Sequence, residues 1–590
     1  MSTSPGGFLP PLDPQQQNGN PMTRVMLTAS LMLMAWMGLN ALNPPKPIEE
    51  KKPDAPVAAA TTGSGAAAIG AAPTDGVVST ADSLPEQTHT VKVDVAAKDQ
   101  NPKIMGGFEG AASSYGAQIS SWQLTGYFEA KLEKGQDTTK LPRVDIAKAN
   151  NDGARLLALR SRGGDVALKA DAPYEVTAKD DSSITFERLT PSGVRVTRRY
   201  VFDDAHFAVK LDTTLKNESQ DKRTAELDMV LVGKERPGER DEGGMFAVAT
   251  DKLGGACVMH NDRETFFSKA VDDDPDDFRF KGPVRSAAID RHYFVGAVTF
   301  DAVPTDGCTA SPFKRGTGKE IEQGIEIAVS LTPIPLAPGE VKSFAQEAFL
   351  GPKQIDALKA FGHGQEESID FGMLAVLSRP LLWLMVAIEA QTHDYGLAII
   401  GLTLCIFFVT LPLTHRSMVE MKKFGKVMKD LKPELDKIKD KYGHDQRLMV
   451  EKQQAFFQEK GVNPFANLMG CLPMLISMPV WIALYRTLST AVELYQQPFQ
   501  YLPGVLDLTQ ADTILFGWPL LPFIVCALML VSTLQQPPPE DQPQMKYVMY
   551  GMPVFFLFIM FSMASGLSIY MITNSLLRMA QSHYIKRKHG

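Results

Sequence analysis

Cysteine is scarce in this chain, with five residues among 590, and no combination of cysteine and histidine has the spacing of a metal site. Cys405, Cys471 and Cys526 lie in apolar runs, where a thiol usually behaves as a small buried hydrophobic group. Cys257 and Cys308 lie in a polar part of the chain and would pair in an oxidising compartment only if the fold brings them together. We therefore expect neither a metal centre nor a disulfide-rich scaffold.

An excess of positive charge is also absent. The chain has 60 Lys and Arg residues against 67 Asp and Glu residues, which gives a formal net charge of -7. A general nucleic-acid-binding protein would have a basic excess, so the composition excludes that class.

Long apolar runs are missing from the middle of the chain and are concentrated at its two ends. Residues 43–370 have the composition of soluble protein, whereas the segments on either side have the composition of membrane protein. A chain of this length is too long for one hydrophobic core. We therefore expect several domains, some of them in a membrane.

The N-terminal region contains one apolar run. Residues 1–21 are rich in Pro, Gln, Asn and Gly, which predicts disorder. Residues 22–42 predict an uncleaved transmembrane anchor, because the apolar run exceeds the roughly 7 to 15 residues of a signal-peptide core. A cleaved signal peptide is the alternative. Arg24 predicts a cytoplasmic N-terminus, and the Pro, Ala and Gly of residues 43–87 predict an unfolded linker.

A period of two begins near Thr88. Val91, Val93 and Val95 alternate with polar residues, and similar short runs recur with turn signals between them. The pattern predicts an all-β sandwich domain over residues 88–350.

Possible sites in this domain have weak signals. The acidic run at 272–277 lacks the spacing and the closing Glu of an EF-hand, so we interpret it as a solvated loop. His206, His260 and His292 have no visible carboxylate partner in the sequence, so we interpret them as structural histidines.

The rest of the chain predicts a helical membrane region. Basic residues are concentrated in the segment after the second span and in the C-terminal tail, which places both in the cytoplasm and the β domain outside. The predicted elements are an interfacial amphipathic helix at 371–390, a second span at 395–413, a cytoplasmic helical hairpin at 414–460, a third span at 468–488, a fourth at 515–534, a fifth at 547–563, a sixth at 567–585 and a basic tail at 586–590.

The third span contains groups that lipid does not satisfy. Pro473 and Pro479 each remove a backbone donor, and Ser477 and Tyr485 add polar atoms at membrane depth. Such groups usually face a bundle interior or a wet cavity, although a kinked structural helix is the alternative.

Polar stripes also follow the second and sixth spans. On a 3.6-residue period Thr403, Phe407, Thr410 and Thr414 share one face, and the stripe of the sixth span extends as far as Gln581. The candidate groove residues of the three spans are Thr403, Phe407, Thr410, Ser477, Tyr485, Tyr570, Thr573, Asn574 and Arg578.

Several ordered motifs over about 200 residues give the chain a specific resemblance. The motifs are Leu411-Pro412-Leu413-Thr414 with Ser417-Met418, Val462-Asn463-Pro464, Gly470-Cys471-Leu472-Pro473-Met474, Met478-Pro479-Val480, Ala483-Leu484-Tyr485, Val492-Glu493-Leu494 and Ser565-Gly566-Leu567. They closely resemble the YidC/Oxa membrane protein insertase family. The linker and β domain resemble the periplasmic part of the Gram-negative bacterial members, a β-super-sandwich related in shape to sugar mutarotases.

The resemblance implies a six-span inner-membrane protein with a five-helix conserved core. Its core would enclose a hydrophilic groove that is open to the cytoplasm and to lipid and closed to the outside. The implied partners are nascent membrane proteins, the ribosome, membrane lipids and the Sec translocon, with a monomer sufficient. The resemblance implies a chaperone-like insertase, not an enzyme, and no cofactor. On this basis we predict that the hairpin is indispensable, whereas the β domain, held on a flexible linker, is dispensable.

The sequence departs from the family at two points. Phe407 occupies the position where the family usually has Arg or Lys, and Arg578 is the best substitute, with Arg486 the second choice. The connection between Asn463-Pro464 and Gly470-Cys471 is also about three residues longer than in the commonest members.

Two other functions remain open from the residues. A membrane-anchored carbohydrate-binding or epimerase-like protein would need a His and Glu pair in a cleft of the sandwich, which the sequence does not reveal. A transporter with broken helices would show an internal repeat, and no repeat is visible.

Overall fold

The computed structural model describes residues 85–589 except for 96–105, 130–131, 133–135, 148–154, 204–205, 235–252, 260–261, 268–277, 316–321, 370, 372–373, 461–478, 513, 515–517, 535–542 and 562. The predicted N-terminal tail and anchor, the acidic run, His260 and Ser477 lie outside these residues. The chain divides into two compact units. One comprises Met1–Thr74 with Arg416–Leu472, and the other comprises Asp75–His415 with Pro473–Gly590.

The β domain is built from short strands with alternating burial. Its strands are β1 (Thr88–Val93), β2 (Phe108–Ser113), β3 (Gln118–Phe128), β4 (Arg143–Asp145), β5 (Ala158–Gly164), β6 (Glu175–Lys179), β7 (Ser183–Leu189), β8 (Val194–Phe202), β9 (Ala208–Asn217), β10 (Arg223–Lys234), β11 (Gly254–Met259), β12 (Asp262–Phe267), β13 (Phe278–Lys281), β14 (Val284–Asp290), β15 (Phe294–Thr299), β16 (Thr305–Arg315), β17 (Glu322–Leu331), β18 (Ile334–Leu336) and β19 (Val341–Pro352).

These strands form three antiparallel sheets. A nine-stranded sheet has the order β12-β11-β14-β15-β19-β9-β8-β7-β6. A six-stranded sheet has the order β13-β16-β17-β10-β18, and β5 also pairs with β10. β1 to β4 form the third sheet in sequence order. In β8, buried Val194, Val196 and Tyr200 alternate with more exposed residues, as the period of two predicts.

The two larger sheets pack face to face. Gly255 of β11 allows this close approach, since a Cβ there would lie 2.7 Å from Ile327 Cδ1 of β17. Cys257 of β11 forms a disulfide with Cys308 of β16, so the covalent link joins the two sheets. The all-β sandwich predicted from the alternating runs is therefore present.

The helices of the second part of the chain are α1 (Ile355–Phe361), α2 (Ala375–Thr392), α3 (Tyr395–Tyr442), α4 (Gln446–Glu459), α5 (479–490), α6 (Leu521–Leu534), α7 (Pro543–Met560) and α8 (Ser565–His589). Aspartate side chains accept backbone N–H groups at the starts of three of these helices. Asp394 accepts from Leu397, Asp445 accepts from Arg447 and Leu448, and Asp512 accepts from Leu520 and Leu521.

Two element boundaries differ from those predicted. The second span was predicted to end at residue 413 and a separate hairpin helix to follow it, but α3 runs through both segments without a break to Tyr442, past Gly425 and Pro433. The fourth span was predicted to begin at residue 515, but α6 begins at Leu521. The carboxylate of Asp512 caps the helix at that point by accepting the backbone N–H of Leu520.

Among the described residues, one helical segment is long and apolar enough to cross a membrane. This segment is Tyr395–Arg416, with 22 residues, and Leu521–Leu534 and Met549–Met560 are shorter apolar segments.

The β domain contacts the segment that follows α5 directly. Phe128, at the end of β3, donates its backbone N–H to Gln496 Oε1 at 3.0 Å and accepts at its carbonyl from Gln496 Nε2 at 2.9 Å. His292 Nε2 and Tyr293 Oη donate to the carbonyl of Ser489. The ring centroids of Tyr293 and Tyr495 are 4.8 Å apart. The expectation that only a flexible linker holds the sandwich is therefore wrong.

Candidate functional site

A cavity of about 490 Å³ lies between α3 and α8. α3 contributes Phe407, Leu411, Pro412 and His415, and α8 contributes Leu577, Ala580, Gln581 and Tyr584. Both helices belong to the same compact unit at these residues. The walls are mainly apolar, with His415, Gln581 and Tyr584 as the polar groups. Such a site can hold an apolar segment while offering it a small number of hydrogen bonds.

A hydrogen bond joins the two helices beside this cavity. Gln581 Nε2 donates to Thr414 Oγ1 at 3.2 Å, and both side chains are buried. The side-chain carbonyl of Gln581 is buried as well and has no hydrogen-bond partner among the described residues. An unsatisfied acceptor beside a cavity is a contact that a donor on an incoming chain can use.

The threonines of the predicted stripe use their hydroxyl protons within their own helices. Thr403 Oγ1 donates to the carbonyl of Ile399 at 2.6 Å, and Thr410 Oγ1 donates to that of Ile406 at 2.9 Å. Thr573 Oγ1 donates to Ile569 in the same way at 2.8 Å. These bonds satisfy the hydroxyl donors without a partner from another helix. The stripe therefore offers fewer free donors than its sequence suggests.

The predicted cation lies on α8 near the cavity. Arg578 is half-buried, and its Nε donates to Asn574 Oδ1 at 3.4 Å, one turn earlier. It lies between Leu577 and Gln581 in sequence, both of which line the cavity. Phe407 lines the cavity wall that α3 contributes. The structure therefore places Phe407 and Gln581, the last residue of the α8 stripe, at one cavity.

The remaining predicted residues are not gathered at this cavity. Thr403 and Tyr570 are buried. Tyr485 of α5 is half-buried and stacks on Trp481, with ring centroids 6.2 Å apart. The position of Ser477 lies outside the described residues. Sequence reasoning missed His415 and Tyr584, although His415 lies at i+4 from the cavity residue Leu411 and Tyr584 lies at i+3 from the stripe residue Gln581.

The end of the bundle at residues 565–566 is closed by backbone hydrogen bonds. The N–H of Ser565 donates to the carbonyl of Gln510 at 2.7 Å, and the N–H of Gly566 donates to that of Leu508 at 3.0 Å. A Cβ at Gly566 would lie 3.1 Å from Ile399 Cδ1 and from Leu508 O. The Ser565-Gly566 motif therefore allows α8, α3 and the loop before α6 to meet closely.

His206 and His292 of the β domain have structural contacts. His206 Nδ1 lies 3.1 Å from Asp203 Oδ2, so this histidine has the carboxylate partner that the sequence did not reveal. His292 contacts the carbonyl of Ser489. Within the described ranges, no group of three or more potential ligands could hold a metal ion. These contacts give no support to an epimerase site.

Comparisons with known proteins agree with this architecture. Residues 106–384 match the family described as YidC periplasmic domain, and residues 387–590 match the family described as 60Kd inner membrane protein. The chain is 33% identical over 502 residues to a membrane protein insertase YidC from Anaeromyxobacter dehalogenans strain 2CP-C, which covers 83% of this chain and 86% of that protein.

A membrane protein insertase YidC from Geotalea daltonii is 28% identical over 577 residues and covers 96% of this chain and 99% of that protein. A galactose mutarotase-like protein from Lactobacillus casei covers 44% of this chain and 100% of its own, with 13% identity and a TM-score of 0.28, which is too low to bear on function. With an all-β periplasmic domain followed by a helical inner-membrane region, this chain belongs to the YidC family of membrane protein insertases.

Proposed function

We propose that this protein inserts integral membrane proteins into the inner membrane and helps them to fold, using the cavity between α3 and α8. The observation that supports this most is a cavity with mainly apolar walls beside a membrane-length helix, in a chain that belongs to an insertase family. The incoming apolar segment slides along the walls into lipid, while its polar flank rests against Gln581, His415 and the Arg578 side of α8.

The energetics of this step need no nucleotide. Burial of apolar surface supplies about 25 cal/mol for each Å² that leaves water. The cost is the desolvation of the short polar flank, which fixed polar side chains inside the membrane reduce. The exposed apolar side chains Phe408 and Val409 follow Phe407 on α3, and they give the segment an apolar path away from the cavity.

The proposal includes the finer topology. The protein has six spans with a five-helix core, both termini lie in the cytoplasm, and the hairpin of α3 and α4 receives the nascent chain together with the ribosome. The protein works alone or with the Sec translocon, and a monomer is sufficient. Lysines along the second half of α3 support a cytoplasmic position for that segment.

Depletion of the protein tests the function. When its expression is turned off, small membrane proteins with one or two spans should accumulate outside the inner-membrane fraction. Restoring the parent chain should return them to the membrane. Unchanged insertion of every such substrate after depletion would refute the proposal.

The groove charge is tested by one variant and its rescue. Arg578→Ala should reduce the insertion rate of substrates with acidic flanks about tenfold, as expected when a charge-assisted contact is lost. Adding Phe407→Arg should restore most of the rate, because it places a guanidinium on the cavity wall. Insertion is measured by protease protection of a tagged flank in the parent and in both variants.

Arg486→Ala is the matched control, because Arg486 is the other candidate cation and is exposed on α5. It should insert the same substrates at the parent rate. An Arg578→Ala protein that handles acidic flanks as well as the parent would show that Arg578 is not the groove charge.

A further inference from the structure

A second cavity, of about 200 Å³, lies among α1, α2 and the 3-10 turn Val492–Leu494, away from the site between α3 and α8. Its charged lining residues are Asp356, Lys359, Glu366, Arg379 and Glu493, and Trp383 also lines it. The periplasmic-domain match over 106–384 includes α1 and the first half of α2. The cavity therefore lies where the periplasmic domain meets the membrane region.

One wall of this cavity contains a buried carboxylate. Glu493 is 7% exposed, and its Oε2 atom is buried with no hydrogen-bond partner among the described residues. The backbone N–H of Ile355 donates to the same carboxylate, and burial raises the pKa of this group to about 7. A buried carboxylate oxygen is costly unless a donor reaches it. The cavity in front of Glu493 provides room for a donor that comes from a ligand.

The cavity walls have charges of both signs. Lys359 and Arg379 are cations, and Asp356 and Glu366 join Glu493 as acidic groups. An anion would be repelled by the three acidic groups, and a cation would be repelled by the two basic groups. A small zwitterion with an ammonium near a phosphate would be matched, since a carboxylate accepts from the ammonium and a guanidinium binds phosphate in a bidentate way.

The cavity also borders an apolar surface of α2. Val376 is 83% exposed and Trp383 is 70% exposed, and Trp383 itself lines the cavity. Exposed tryptophan beside arginine is typical of a helix at the level of lipid headgroups. A ligand that reaches this cavity therefore arrives from the lipid surface.

We propose that this cavity binds the headgroup of an aminophospholipid, a phosphate diester with a primary ammonium. The ammonium donates to the carboxylate of Glu493, and Arg379 contacts the phosphate, with Lys359 beside it. The bound lipid fixes α2 against α1 and the 492–494 turn. This inference does not depend on the proposed insertion activity, because its test measures lipid binding alone.

The test compares two lipids on the full-length protein. Purified protein is mixed with equal amounts of phosphatidylethanolamine and phosphatidylcholine, and the lipids that stay bound are counted by native mass spectrometry. The two lipids share a phosphate, but the trimethylammonium of phosphatidylcholine has no N–H donor. The parent should retain phosphatidylethanolamine at least about tenfold better, the ratio that corresponds to about 1.4 kcal/mol.

Variants assign this preference to the cavity. Glu493→Gln should reduce the ratio of the two lipids nearly to one. Arg379→Gln, at an exposed position that does not threaten folding, should weaken the binding of both lipids alike. Glu218→Gln, a carboxylate of the β domain far along the chain from the cavity residues, should leave the ratio unchanged. A preference that survives Glu493→Gln, or equal retention of the two lipids by the parent, would overturn the proposal.

Two further ligands test whether the ammonium group is required and whether the ligand comes from the membrane or from solution. Phosphatidylglycerol, which has the phosphate but no ammonium, should bind as weakly as phosphatidylcholine. If phosphatidylglycerol bound as strongly as phosphatidylethanolamine, the role of Glu493 would be overturned. Free phosphoethanolamine has the headgroup chemistry without the acyl chains. If it competed at the same concentration as the lipid, the ligand would come from solution and the lipid proposal would be wrong.

Discussion

At the scale of single residues, Glu493 makes stability depend on pH. Its ordinary pKa is 4.5, and burial raises the pKa to about 7 in the folded protein. Between these values the unfolded chain has already lost the proton while the folded chain keeps it. Stability from this group is therefore fully present below about pH 4.5 and is lost as the pH rises to about 7, a loss of about 3 kcal/mol.

This loss predicts the behaviour of Glu493→Gln. Because glutamine does not ionise, the variant should gain unfolding temperature over the parent as the pH rises from 5 to 8, in detergent without aminophospholipid. Unfolding temperatures at several pH values measure the difference between the two proteins.

Glu218→Gln is the control for this comparison. Hydrogen bonds from Arg195 and Lys216 lower the pKa of Glu218 to about 2, so it stays ionised throughout the range from pH 5 to 8. The difference in unfolding temperature between Glu218→Gln and the parent should therefore not vary with pH. If the difference in unfolding temperature between Glu493→Gln and the parent were also independent of pH, the carboxyl group of Glu493 would not be held in its neutral form.

Residues of the candidate site were predictable only in part. The 3.6-residue period placed Phe407 and Gln581 on inward faces, and both line the cavity. The period does not tell which atom a hydroxyl contacts, and so the donation of Thr403 and Thr410 to their own helix was not foreseen. Glu493 was visible only as part of a motif, because its burial depends on α1, more than a hundred residues earlier in the chain.

At the scale of elements, close packing at Gly396 fixes the start of α3. A Cβ at Gly396 would lie 2.2 Å from a ring carbon of the buried Phe499. The ring would have to move, which costs about 1 to 3 kcal/mol in a packed interior. Gly396→Ala should therefore lower the unfolding temperature of the purified protein by several degrees.

Gly551 offers a matched control in another helix. It lies within α7, and a Cβ there would meet no atom within 4 Å among the described residues. Gly551→Ala should leave stability unchanged or raise it slightly, since alanine is the better helix former. If both variants unfolded at the same temperature as the parent, the contact between Gly396 and Phe499 would not contribute to stability.

The type of each element was easier to predict than its ends. Alternating valines gave the β domain, and long apolar runs gave the helices, because both signals are local. The start of α6 at Leu521 depends on Asp512, whose carboxylate lies in a loop and reaches the helix only after the chain turns. α3 joins two segments that were predicted separately, as a span and as the first helix of the hairpin, because the prediction divided them at the change from apolar to charged composition.

At the scale of the whole molecule, the β domain contacts residues 489–496, so removing the domain also removes contacts that stabilise the membrane region. Tyr495 packs against Tyr127, Tyr293 and Phe294, and its hydroxyl donates to the carbonyl of Phe128 at 3.1 Å. Removal of the domain exposes this ring and leaves Gln496 without Phe128. The domain therefore contributes to the stability of the membrane region even if insertion does not use it.

Deletion of residues 88–340 should retain insertion activity but lower the amount of protein in the membrane. Activity should remain because the cavity between α3 and α8 contains no residue of the β domain. The amount should fall because an exposed tyrosine and an unpaired amide destabilise the segment after α5. Insertion per molecule, measured by protease protection and divided by the amount of truncated protein, separates the two effects.

Substitution of Tyr495 and deletion of the hairpin complete this last prediction. Tyr495→Gln should raise the amount of the truncated protein, whereas in the full chain it should lower stability, because the aromatic contacts with the β domain are lost.

Deletion of residues 416–460, which belong to the other compact unit, should abolish insertion while the β domain stays folded. A stable 88–340 deletion with no insertion activity would show that the β domain takes part in insertion itself, and a hairpin deletion that still inserts would remove the hairpin from the mechanism.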